Sequence, residues 1–165
     1  VPVIADRPVV EKIAEALFDR LQRLVAGRSS TTVASEVIRA KRMGGWTPKN
    51  LQIVLTQSDP ERNEELSHPG NPPAMAFDIR FNIRCHVIPS ELDPTAVDTY
   101  INAMTADVIN CITRDADWYN FGGLAVNSQF DAIEQIDSDG SFDGANVPLN
   151  VTYRVSETNQ YEVRA

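Results

Sequence analysis

The chain has two cysteines, two histidines, few aromatic residues and no long apolar run. Two cysteines in 165 residues cannot make a disulfide-framed scaffold. Cys85 and Cys111 fall on the apolar faces of two expected elements and read as small hydrophobes with reduced thiols. No apolar stretch approaches the roughly 20 residues that a membrane-crossing helix needs. The opening VPVIADRP lacks a basic region followed by an apolar one, so no signal peptide is expected.

Catalytic signatures are missing as well. There is no GxxxxGK[ST] phosphate loop, no GxGxxG and no GxSxG elbow. His68 lies in a proline-rich stretch, and His86 is expected on the polar face of a strand. Neither has a Cys or His partner at metal-ligand spacing, and adjacent Cys85 and His86 point apart on a strand. Asp137, Asp139 and Asp143 surround Gly140, but a calcium loop starting at Asp137 would put that glycine two places early and Pro148 where the closing glutamate belongs. They read as a solvated acidic turn. Asn150-Val151-Thr152 fits a glycosylation sequon but lies inside an expected strand. No catalytic residue, metal or cofactor is expected.

Positive charge is scarce overall. The net charge of −8 argues against free nucleic-acid binding. The charge is uneven: residues 1–49 carry 9 Lys+Arg against 5 Asp+Glu, and residues 50–165 carry 6 against 18. Such asymmetry suits docking against copies of the same chain or charged neighbours.

What the sequence does contain is one long alternating stretch, AMAFDIRFNIRCHVI, residues 74–88. Met75, Phe77, Ile79, Phe81, Ile83, Cys85 and Val87 alternate with Asp78, Arg80, Asn82, Arg84 and His86, the pattern of a strand with one buried face and one wet face. At about 3.3 Å per residue it would span roughly 50 Å and overhang its own core, which hints at assembly.

The other elements follow in order. Residues 9–26 read as a helix, with Val10, Ile13, Ala14, Leu17, Leu21, Leu24 and Val25 inward and Glu11, Lys12, Glu15, Asp19, Arg20 and Arg23 outward. Residues 31–43 read as a strand with a basic end, Arg39, Lys41 and Arg42, before the turn Gly44-Gly45-Trp46-Thr47-Pro48. A short strand is expected over 51–57. Residues 59–73, DPERNEELSHPGNPP, read as a long hairpin connection carrying Glu61, Arg62, Glu64 and Glu65. Asp93 and Pro94 open a second helix running to residue 114. Residues 115–123 form a turn whose Trp118, Tyr119 and Phe121 cover a core edge. Strands are expected over 124–136 and 147–155, joined by a turn-rich connection over 137–146. The polar tail from 156, which includes Tyr161, is free or reaches a neighbour. The expected fold is a single α+β domain over 1–165, with 1–7 and 156–165 as extended arms. One mixed, mostly antiparallel β-sheet carries two α-helices on one face, with long loops and the other face wet or partner-covered.

This order of elements, with IAEALFDRLQRL in the first helix and the closing run FDGANVPLNVTYRVSETN, resembles the tail terminator (tail completion) proteins of long-tailed bacteriophages. The likeness covers most of the chain and lies in element order and the closing strand, without a short motif that transfers residue by residue. It implies a non-enzymatic virion protein, assembled in the host cytoplasm, that forms a hexameric ring on the tail tube. The ring would stop tube growth and offer a surface to head-completion proteins, and in sheathed tails to the sheath. Partners would be its own copies and the tube protein, with DNA only as the genome passing the lumen and no membrane. Interface candidates on this reading are the basic Arg39, Lys41 and Arg42 with Trp46, the loop residues Glu61, Arg62, Glu64 and Glu65, the acidic Asp137, Asp139 and Asp143, and Tyr161. The alternatives are another neck or tube component and, in a different class, a small-molecule-binding α+β domain with a deep polar pocket.

Overall fold

A computed structural model describes residues 6–26, 33–40, 47–69, 73–136 and 140–164. Two helices, α1 (Val9–Ala26) and α2 (Val97–Thr113), accompany eight strands among the described residues. The strands are β1 (Glu36–Arg39), β2 (Gln52–Gln57), β3 (Glu61–His68), β4 (Ala74–Val87), β5 (Asn127–Phe130), β6 (Glu134–Gln135), β7 (Asp143–Ser156) and β8 (Asn159–Val163). All belong to one mixed sheet in which only β1 and β2 pair in parallel. The α+β expectation holds.

The long alternating strand does not overhang. β4 and β7, each 14 residues, pair antiparallel along their full length, from Ala74 opposite Ser156 to Val87 opposite Asp143. Their outer edges are covered by short strands placed end to end. β2 and then β3 line β4, while β6, β5 and then β8 line β7. The odd-numbered side chains of this central pair form the core. Ile79, Phe81, Ile83, Cys85, Val147, Leu149 and Val151 join Ile13, Leu17 and Leu21 of α1 and Met104, Val108 and Ile112 of α2 in one buried cluster. Both helices therefore lie on that face. Burial raises both thiols to about 12, in keeping with cysteines that act as hydrophobes.

Several expectations are corrected. Residues 61–68 are a strand: β3 pairs with β4 through Glu61–Asp78 and Asn63–Ala76, then bulges before His68 meets Ala74. Its polar side chains are tolerated because it is an edge strand, and prolines flank it rather than interrupt it. The expected strand over 124–136 is split into β5 and β6. Pro148 on β7 faces the break; its carbonyl accepts from the Asp131 N–H, and it has no N–H to return. Val126, expected on the buried face, is exposed, while Ser128 and half-buried Phe130 on β5 keep the even-numbered face inward as expected. Asp143 to Asn146 belong to β7 rather than to a turn. The tail turns at Glu157 and Thr158 and returns as β8.

Arg20 is not on an outer face. It is 7% exposed, with its guanidinium over the Phe121 ring and paired to Asp115 at 3.2 Å and Asp117 at 3.3 Å. Arg23 joins Asp115 at 2.9 Å, so α1 pins the turn that follows α2. In that turn Phe121 is buried and Trp118 stacks on Phe130, but Tyr119 is exposed. Asp93 accepts from the Thr95 N–H and caps the 3-10 turn Pro94–Ala96 that leads into α2, so the α-helix itself begins at Val97 rather than at Pro94.

Candidate docking surfaces

The even-numbered face of the sheet carries a polar network. Asp78 accepts from Thr152 on β7 at 2.5 Å and from Asn63 on β3 at 2.9 Å. Arg80 donates to Glu134 at 2.7 Å and to Asn82 at 3.1 Å, and Asp131 lies 3.8 Å away. Asn146 donates to both Asn82 and Glu134. These bonds tie β3, β4, β6 and β7 together sideways. The hydrogen bonds from Arg80 and then Asn146 hold the Glu134 carboxyl below its usual range, so it stays ionised. A groove of about 510 Å³ crosses this face, lined by Thr56, Ser58, Asn82, Arg84, Glu134 and Asn146 among others. No cluster of three or more His, Cys, Asp or Glu suited to a metal is present among the described residues.

The ends of this face are covered within one copy, which corrects the expectation of a face left wet or covered by a partner. At one end Ala74 and Ala76 are buried where the bulged β3 crosses them: Ser67 Oγ accepts from the Ala76 N–H, and the Leu66 carbonyl accepts from Arg154. At the other end Gln52, Val54 and His86 are buried. Phe142 meets the His86 ring edge-on at 5.2 Å.

His86 was expected on a solvated face; instead its burial, with a smaller contribution from Arg84, lowers its pKa from 6.5 to about 4. Between those values the unfolded chain binds a proton that the folded chain does not. Stability should therefore fall as pH drops from above 6.5 toward 4, and this contribution should level off below 4. Urea midpoints across that range, compared with His86→Gln, test it. The difference between the two curves isolates His86 from the carboxylates that titrate lower down.

The sequence-derived interface residues are not gathered in one place. Arg39 is held inside the copy, donating to both Glu11 oxygens at 2.6 and 2.9 Å and to Gln57 at 3.1 Å. That hydrogen bond keeps the Glu11 carboxyl below its ordinary range. Lys41, Arg42, Trp46, Asp137 and Asp139 lie outside the described residues. Asp143 opens β7 opposite Val87. Glu61, Arg62, Glu64 and Glu65 are exposed on β3, with Arg62 bridged to Glu64 at 3.0 Å. Tyr161 is exposed on β8.

Sequence reasoning missed both margins as strands. β3 and β8 flank the same end of the β4–β7 pair, and all five β8 residues are exposed. Leu66, Tyr161 and Val163 are three of the exposed large hydrophobics, all on these two strands. The alternating Tyr161 and Val163 were the one available signal for β8; β3 has no such pattern. The chain matches no protein-family model and no curated protein.

Proposed function

We propose that this chain is a structural subunit of a phage tail terminator ring, acting through its surfaces and not through a reaction centre. The observation that carries the reading is the pair of exposed sheet margins, β3 and β8, on opposite sides of one end of the sheet. Two different margins on one subunit are what a closed ring of identical copies requires, because each contact joins unlike surfaces. Exposed strand edges supply such contacts through main-chain pairing. The resemblance in element order supplies the tail context.

In such a ring Arg39 would bring little free charge to a DNA passage, since Glu11 already holds it. The groove on the polar face is open and its Asn82, Glu134 and Asn146 are tied together by hydrogen bonds from Asn146, which does not favour a small-molecule site.

The test is light scattering and negative-stain microscopy of the pure protein, alone and with its cognate tail-tube protein. Rings on tube ends are the expected result. A strict monomer that ignores tubes overturns the reading, and rings that bind a head connector but not the tube favour a neck component instead.

A further inference from the structure

The two margins match each other in level, length and direction. Asn63 on β3 lies opposite Ala76, Ala76 lies opposite Arg154, and the Arg154 carbonyl accepts from the Arg164 N–H at 3.1 Å. At the tip, His68 lies opposite Ala74, Ala74 opposite Ser156, and Ser156 opposite Asn159. Asn63 and Arg164 therefore share one level across the sheet, and His68 and Asn159 share another. Between these levels β3 supplies residues 64–67 and β8 supplies residues 160–163, the same length on each margin despite the irregularity in both ladders. β3 runs toward the tip and β8 runs away from it, since β3, β4, β7 and β8 are successively antiparallel.

We infer that β3 of one copy pairs antiparallel with β8 of the next, continuing the sheet from subunit to subunit. This rests on the ring reading and names the contact that would close the ring. Laid side by side without offset, Leu66 meets Tyr161 of the second copy and Glu64 meets its Val163. The exposed apolar side chains of the two margins then fall together, where cross-strand neighbours stabilise a sheet. The same register sets Glu65 against Glu162 of the second copy, a like-charge pair that opposes pairing of free copies. Arg164, 3.1 Å from Glu162 within its own copy, lies on the same margin and relieves this in part. Closure then depends on a template, such as a tube end that holds neighbouring copies side by side.

The test uses Leu66→Cys and Tyr161→Cys in a Cys111→Ser background, leaving buried Cys85 in place. Both replaced side chains are exposed, at 36% and 43%, and the fold of each variant is checked by its thermal transition. Directly opposite residues on antiparallel strands have Cα atoms about 4.5–5.5 Å apart, within disulfide reach. Mild oxidation of the mixed variants on tail-tube protein should give a 66–161 dimer at least about tenfold over 66–66 or 161–161 dimers, because the contact joins unlike edges. The double variant should give a ladder that stops at ring size. Glu65→Lys should raise the yield, and adding Glu162→Lys should lower it again. Rings without the 66–161 crosslink, or with mainly 66–66 dimers, overturn this contact while the ring function stands. Absence of both crosslink and tube binding overturns the ring reading and the contact with it.

Discussion

Replacing Gly144 by alanine is expected to destabilise the fold by about 3 kcal/mol or more, among the largest effects of adding a single methyl group. Gly144 lies near the start of β7, opposite His86 on β4. A Cβ there would sit 2.2 Å from the Cys85 carbonyl oxygen and 3.2 Å from its carbon, with Ile136 Cδ1 at 3.3 Å. The obstacle is main chain of the partner strand, which cannot rotate aside as a side chain would. The central pair must part locally, and the neighbours that bury His86 shift with it. Gly140→Ala is the comparison: its φ of +95° disfavours alanine, but a Cβ there meets nothing within 4 Å. That variant should cost only about 1 kcal/mol, the scale of backbone strain without collision. Urea unfolding decides the matter. A Gly144→Ala midpoint equal to that of Gly140→Ala would show that β4 and β7 are not this close.

Phe81→Ala should cost about 3–5 kcal/mol, the range for emptying a large buried aromatic site. Phe81 is fully buried in the middle of β4, opposite Gln57 on one side and Leu149 on the other. Alanine there leaves a void between the central strands and the helix layer, and the regular sheet restrains collapse into it. Phe81→Leu should retain well over half of that stability, since most of the apolar volume remains. The check is the denaturant midpoint with unchanged slope. A loss under about 1 kcal/mol would place the core elsewhere than on this face, far below what such truncations give.

The parts of the fold legible in the sequence are those whose signal is local. Period-two alternation marked β4, three- and four-residue spacing marked α1, and Asp93-Pro94 marked the entry to α2. The parts missed depend on distant residues. β3 has no alternation to display, because an exposed margin is held by main-chain bonds and by contacts such as Asn63 to Asp78. The break between β5 and β6 is set by Pro148 on the opposite strand. Arg20 reads as a solvated charge until Asp117, 97 residues later, is brought to it. The candidate surface was legible only as composition: Glu61 to Glu65 and Tyr161 were singled out without the strands that place them at one end of the sheet. Arg39 was singled out for its charge, which Glu11, 28 residues earlier, already holds.

The tiling of both margins by separate short strands has a consequence for motion. Among the described residues no margin strand runs the length of the central pair, so β3 or β8 can peel away while β4 and β7 stay zipped. Amide exchange should therefore be fast in the tip segments and slowest along the central seam, giving the subunit a stiff keel with hinged flaps where neighbours would grip it.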